Sequence, residues 1–141
     1  MADHLTGLCN RLEFITELKP IDQKSTASLF FIDLNKFKPV NDTYGHDAGD
    51  FILSSVARRL ENIFAESTLT RMGGDEFSLL VKGVDSQKSN KMLIQIQEEI
   101  SKPYYYKGTE INISASVGFA NYPDETSNSI NLLKIADEKM F

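Results

Sequence analysis

Hydrophobic and polar residues alternate with two different periods along this chain, and the periods change at glycine and proline. Over residues 11–19, Leu12, Ile15 and Leu18 recur at helical spacing, and Pro20 ends the run. Residues 28–32 (Ser-Leu-Phe-Phe-Ile) are almost continuously apolar and stop at Asp33, which predicts a central strand buried on both faces. A polar, glycine-containing stretch follows, with a short helical turn expected near 36–41, a loop through Gly45-His46 and a helix opening near Asp47. Asp47 and Asp50 stand at N-cap and N3 spacing, so local capping is one reading of both. Residues 51–64 carry Ile52, Val56, Leu60 and Ile63 on one stripe.

Two strand-like runs then flank Gly73-Gly74, which predicts a tight hairpin whose turn uses the positive φ open to glycine. Alternation puts Asp75 on the face of Phe77, Leu79 and Val81, and Glu76 on the face of Ser78 and Lys82. Residues 85–101 read as a second amphipathic helix with Leu93, Ile96 and Ile100 inward. Residues 104–109 read as strand and turn. Ile111, Ile113, Ala115, Val117 and Phe119 alternate with polar residues or glycine in a half-buried strand, Pro123-Asp124 turns the chain, and 129–140 forms a last helix with Ile130, Leu133, Ala136 and Met140 inward. The order α-β-α-β-β-α-β-β-α contains strand-helix-hairpin-helix-strand, a split βαβ or ferredoxin-like core of the α+β class, with a central antiparallel sheet flanked by helices.

Composition narrows the function classes. The chain has 141 residues, 41% of them hydrophobic and 25% charged, enough for one domain with its own core. A formal net charge of −5 argues against nonspecific nucleic-acid binding, which needs a basic surface. It leaves a nucleotide ligand open, since a bound cation neutralises phosphates locally. No run is long and apolar enough to span a membrane, and the polar start lacks a signal-peptide pattern. The single cysteine, Cys9, cannot form an internal disulfide, which fits a reducing cytosol, and is read as a packing residue. His46 is read as structural. The tyrosines and lysines of 104–107 are read as packing, not base stacking.

The polar clusters point to chemistry. In a split βαβ sheet the first strand neighbours the central hairpin, which brings Asp33 and Asp75 to one edge. Two carboxylates with no basic neighbour in sequence repel each other, and a hard cation relieves that repulsion. Mg²⁺ takes one or two carboxylates, waters and substrate phosphates, so the pair suits phosphoryl transfer.

Longer motifs sharpen this. Gly73-Gly74-Asp75-Glu76-Phe77 resembles the signature of the GGDEF family, the diguanylate cyclases. Residues 33–50 resemble the family's Asp-x-[Asp/Asn]-x-Phe-Lys-x-x-Asn-Asp and Gly-His-x-x-Gly-Asp run, with Asn35 at a position that carries Asp or Asn. Asp3, Leu5, Thr6, Asn10 and Arg11 match its opening motif, and residues 114–120 and 136–141 resemble its Ser-x-Ser-x-Gly-x-Ala and Ala-Asp-x-x-Met-[Tyr/Phe] segments.

The resemblance implies a single GGDEF domain over 1–141, truncated at its C-terminus, that condenses two GTP into cyclic di-GMP and two pyrophosphates in bacterial second-messenger signalling. It implies Mg²⁺, or Mn²⁺ in its place, held by Asp33, Asp75 and the Leu34 carbonyl. It implies phosphate contacts from the amides of Lys36 and Phe37 and from Lys38, and a guanine edge read by Asn41 and Asp50. Gly74 would admit the substrate closely. Glu76 would activate the 3′-hydroxyl or stand in a metal's outer shell, and Arg71 would stabilise transition-state charge. One GTP per site implies a homodimer. The resemblance further implies a cytoplasmic domain joined to a sensor, and to a phosphodiesterase domain or a membrane anchor in some parent proteins, with no nucleic-acid or membrane contact of its own. An alternative is a catalytically silent GTP-binding module that regulates a neighbouring domain. The family's product-inhibition motif, Arg-x-x-Asp, is replaced here by Phe64-Ala65-Glu66-Ser67, so no feedback inhibition is expected through it. The family's Lys and Arg that grip terminal phosphates would lie beyond Phe141.

Overall fold

The middle of the molecule is a strand buried on both sides. The computed structural model describes residues 3–8, 14, 25–64, 67–126 and 128–140. Apart from Phe14, which is helical, the helix expected over 11–19, Pro20, the Asn10-Arg11 pair, Cys9, Ala65, Glu66 and Phe141 lie outside the described residues. Strand β1 (Ala27–Asn35) is followed by helices α1 (Phe37–Tyr44) and α2 (His46–Glu61), strands β2 (Ser67–Arg71) and β3 (Glu76–Lys82), and helix α3 (Ser86–Ser101). A hairpin of β4 (Tyr104–Tyr106) and β5 (Thr109–Ile111), strand β6 (Ser114–Tyr122), a 3₁₀ turn (Ser129–Asn131) and α4 (Leu132–Glu138) complete the described elements.

The main sheet has the order β2-β3-β1-β6 with every neighbouring pair antiparallel. That order, with a helical segment between β1 and β2 and another between β3 and β6, is the split βαβ expected from the sequence. Alternation along β1 sends Phe30, Ile32 and Leu34 into a core with Ile52, Val56 and Leu60 of α2 and Ile96 and Ile100 of α3. It sends Ala27, Leu29 and Phe31 into a second core with Phe14, Leu80, Leu132 and Ala136. Both faces are covered, which explains why β1 reads as an unbroken apolar run.

Gly118 marks where α4 docks on β6. A Cβ there would lie 2.7 Å from the Lys139 carbonyl carbon and the Met140 nitrogen. Those are backbone atoms, so only glycine permits this approach.

Several boundaries differ from the sequence pattern. β1 continues past Asp33 to Asn35, because β6 pairs with it as far as Asn35↔Ser114. The expected turn at 36–41 is a full eight-residue helix, α1. Gly45 alone, at φ 93°, links it to α2. The N-cap of α2 is therefore Gly45 and no side chain caps it. This corrects the capping roles of Asp47 and Asp50; Asp47 sits in the first turn, where its charge faces the positive end of the helix dipole.

The glycine pair is no two-residue turn. Arg71 pairs with Phe77 and β3 starts at Glu76, so residues 72–75 cross between the strands, and neither Gly73 nor Gly74 adopts positive φ. Asp75 precedes the strand, so the alternation that placed it with Phe77 starts only at Glu76. The strand expected over 111–119 splits at Asn112-Ile113, with Ile111 ending β5. In α3 the buried apolar stripe is Met92, Ile96 and Ile100, with Leu93 only partly buried. The last helix is shorter than expected. Leu132 and Ala136 are buried, while Ile130 is 46% exposed in the preceding 3₁₀ turn.

A candidate nucleotide and metal site

Three acids meet at one end of the sheet. Asp33 on β1 is the register partner of Glu76 on β3. The Leu34 N–H donates to the Asp75 carbonyl at 3.1 Å, which ties the Gly-Gly-Asp-Glu loop to the strand that carries Asp33. The proton affinity of Asp33 is raised, first by its partial burial and then by the negative charges of Asp75, Glu76 and Asp137. Asp137 lies on α4 and was absent from the sequence-derived site. The only signal for it was the Ala136-Asp137 pair in a family-like segment, and nothing in that spacing reveals that α4 folds back over β1.

The rest of β1's end is held by hydrogen bonds. The Asn35 amide nitrogen donates to Ser114 Oγ at 3.1 Å, and Ser116 Oγ donates to Asn35 Oδ1 at 3.0 Å. The Leu34 side chain is buried in the main core. Lys36, at φ 65°, turns the chain sharply from β1 into α1. The first-turn amides of α1 thus begin two residues after the Asn35 clamp, and such amides are a natural anion site. Lys38 is exposed, and Phe37 is half-buried against the main core.

Asn41 on α1 packs against Gly49 of α2, the residue before Asp50. Asn41 is half-buried, and its Oδ1 occupies the space that a Cβ on Gly49 would need. Asp50 is the next residue and is exposed. Glycine at 49 leaves room for the Asn41 amide in this position.

The signature loop is braced by Arg71. Its guanidinium donates to the Gly73 carbonyl at 3.2 Å and the Gly74 carbonyl at 3.0 Å, and forms an ion pair with Asp3 at 3.1 Å. Asp3 also accepts from the Thr6 N–H at 2.9 Å and the Thr6 hydroxyl at 2.8 Å. Burial raises the proton affinity of the Asp3 carboxyl, but the Thr6 donors and Arg71 outweigh it and hold its pKa below the ordinary value. Arg58 of α2 donates to the Thr6 carbonyl of the same opening turn. Arg71, expected to stabilise transition-state charge, here donates to the loop carbonyls and pairs with Asp3. The two glycines serve different ends. A Cβ on Gly73 would come within 2.5 Å of Glu76 Oε1, whereas one on Gly74 would meet nothing within 4 Å. The Gly74 side of the loop is open to a ligand.

The acid set fits a hard divalent cation. Partial burial, and then the like charges of its neighbours, destabilise Asp33 as an anion. Among the described residues no three His, Cys, Asp or Glu side chains converge to form a complete metal cage.

A family model described as "Diguanylate cyclase, GGDEF domain" matches residues 1–141. The chain is 37% identical over 147 residues to the bifunctional diguanylate cyclase/cyclic di-GMP phosphodiesterase MucR of Pseudomonas aeruginosa, covering 100% of this chain and 22% of that protein. It is 31% identical over 140 residues to the cyclic di-GMP phosphodiesterase NbdA of the same organism, covering 95% of this chain and 18% of NbdA. The chain thus spans less than a quarter of either relative. Among solved structures, the isolated GGDEF domain of TpbB (YfiN) from Pseudomonas aeruginosa superposes with a TM-score of 0.85 at 30% identity, covering 97% of this chain and 84% of that one. Among the described residues no helix is long and apolar enough to cross a membrane. The acid loop on a split βαβ sheet, the matched model and the shared architecture together assign the chain to the GGDEF family of diguanylate cyclase domains.

Proposed function

We propose that this domain is a diguanylate cyclase, joining two GTP into cyclic di-GMP with release of two pyrophosphates. The observation that carries the reading is the register pair Asp33↔Glu76 with Asp75 tied beside it. It supports a metal-dependent attack of a 3′-hydroxyl on an α-phosphate. Mg²⁺, or Mn²⁺ in its place, held by Asp33, Asp75 and the Leu34 carbonyl, would supply Lewis-acid stabilisation of phosphate charge.

The chain's own residues do the rest. The amides at Lys36 and Phe37 and the Lys38 ammonium receive phosphate oxygens. Asn41 and Asp50 bind the guanine edge: an amide donor meets O6, and a carboxylate accepts from the N1 and N2 hydrogens. Glu76, held next to Asp33, takes the proton of the attacking hydroxyl or orients the metal's outer shell. Arg71 keeps the loop in shape through Gly73, Gly74 and Asp3. Each site binds one GTP, so the reaction requires two domains face to face in a homodimer. Within a longer bacterial signalling protein the domain works in the cytoplasm and answers to a linked sensor.

A second reading is a GTP-binding module that does no chemistry and regulates an adjoining domain. The similarity to NbdA, named for its phosphodiesterase activity, favours it. The test is incubation of the chain with GTP and Mg²⁺ beside its Asp75→Ala variant. Cyclic di-GMP from the first and none from the second is the expected result. Mg²⁺-dependent GTP binding without product, persisting when the domain is fused to an enforced dimer, would establish the regulatory module instead.

A further inference from the structure

A second concave surface lies away from the acid loop, between the C-terminal end of α2, the end of β3 and the first half of α3. It encloses about 520 Å³. Its floor is apolar: Ile63, Phe64, Val84 and Met92. Its rim carries three lysines, Lys82, Lys88 and Lys91. Phe64 is the first residue of the segment that replaces the family's Arg-x-x-Asp motif.

The three lysines surround an apolar floor on a chain that is acidic overall. The chain carries a net charge of −5. Arg58, Arg71, Lys102 and Lys139 each pair with a carboxylate. Among the described residues the ammonium groups of Lys82, Lys88 and Lys91 have neither an ion pair nor a hydrogen bond. Lys88 also sits in the first turn of α3, where a cation meets the positive end of the helix dipole. The one acid at that helix start, Asp85, uses its side chain to accept from the Lys88 N–H. Lys88 and Lys91 are one turn apart and repel each other. Both placements disfavour the isolated fold, and an anionic occupant would reverse their sign.

We propose that this groove is a docking site for an acidic amphipathic helix of a partner protein. The floor is wide and mostly aliphatic, which suits the apolar stripe of a helix laid in a groove. The three ammonium groups are point charges around that floor, matched to carboxylates at successive turns. The groove offers no arginine fork for bidentate phosphate recognition, and Gln95 is its only uncharged polar side chain to read a base edge. Those absences, in the described lining, favour a polypeptide over a nucleotide. The acidic balance of the whole chain disfavours nucleic acid and anionic membrane surfaces. The family's product-inhibition position becomes, in this chain, a surface for control by protein contact.

The test uses the full chain and a fluorescent synthetic helix of about four turns with leucine on one stripe and glutamate elsewhere. The same peptide with lysine in place of glutamate is the control. Anisotropy is expected to show binding of the acidic peptide alone, weakening as salt rises. It is expected to fall at least about tenfold in the Lys88→Glu/Lys91→Glu double variant. A Lys88→Met/Lys91→Met variant, which keeps the aliphatic stems, guards against misfolding and should lose binding in the same direction, with circular dichroism confirming the fold. Equal binding by the variants, or no binding by the parent chain, overturns the proposal. So does cyclic di-GMP moving the amide resonances of Phe64 and Lys88 where the acidic peptide does not, since the groove would then belong to a nucleotide.

Discussion

Strand β1 carries polar side chains at its two ends, and the sheet treats them in opposite ways. At the start of the strand Ser28 is fully buried and fully engaged. Its hydroxyl donates to Asn121 Oδ1 at 2.5 Å and lies 2.6 Å from Ser89 Oγ, which donates to the same Asn121 oxygen at 2.9 Å. This closed network staples the N-terminal turn of α3 to β1 and β6. At the far end Asp33 faces Glu76, Asp75 and Asp137, all of one sign. One end spends its polar groups on holding the fold together; the other keeps charge unresolved until something cationic arrives. The contrast makes the acid end the candidate functional end.

The largest effect is expected at the acid end. Asp33→Asn should lower cyclic di-GMP formation by at least about a hundredfold, since even outer-shell partners of metal ligands cost up to that much. The same change should raise thermal stability at neutral pH. The sign follows from linkage: a carboxyl whose folded pKa lies above its ordinary value of 3.8 contributes stability below that value, and the contribution is lost as pH rises through the folded pKa. Asparagine removes that loss. A thermal melt of the two proteins with and without Mg²⁺ checks both parts, and a destabilised Asp33→Asn chain would break the contrast.

The next effect belongs to the closed end. Asn121→Ala removes the acceptor shared by two buried hydroxyls and should cost about 3 kcal/mol of stability. The loss should be the same with or without Mg²⁺, which urea titration measures.

Arg71→Gln should fall between the two ends. It cuts the guanidinium bridge from the signature loop to Asp3. Activity should drop about tenfold with a stability loss near 1 kcal/mol, the range of a part-exposed ion pair. A loss of kcat far larger than this, with KM and melting temperature unchanged, would restore Arg71 as a transition-state contact.

The smallest effect sharpens the comparison. Thr70 and Ser78 face each other across β2 and β3, and among the described residues their buried hydroxyls have no hydrogen-bond partner. Ser78→Ala should therefore change stability by less than about 0.5 kcal/mol or increase it, as denaturant titration would show. A clear loss would mean that this hydroxyl belongs to a network like that of Ser28.

Most of the strand order was legible because β1 has to be apolar on both faces, and a run such as Leu29–Ile32 announces that directly. The acids were legible by type and motif. Asp33, Asp75, Asn41 and Asp50 could be marked from spacing and resemblance, since those positions combine polar groups with glycine where a plain turn needs neither pattern. Helix bounds were less legible. The signal for the α1–α2 junction is a single glycine, and the propensities of residues 36–50 do not say whether Gly45 opens a loop or a sharp corner.

What the sequence determined by itself is the local grammar: apolar periodicity, the β1–hairpin adjacency implied by a split βαβ order, and the residue types that gather at the sheet's edge. What only the tertiary structure decided is which groups neutralise one another. Asp137 faces Asp33 because α4 packs back over β1 through Gly118. Arg71 braces the loop because the opening turn brings Asp3 to it. Ser28 is satisfied because Ser89 and Asn121, distant in sequence, converge on it. Electrostatic and hydrogen-bond partners depend on distances of a few ångströms between segments far apart in the chain, and periodicity carries no information about such distances.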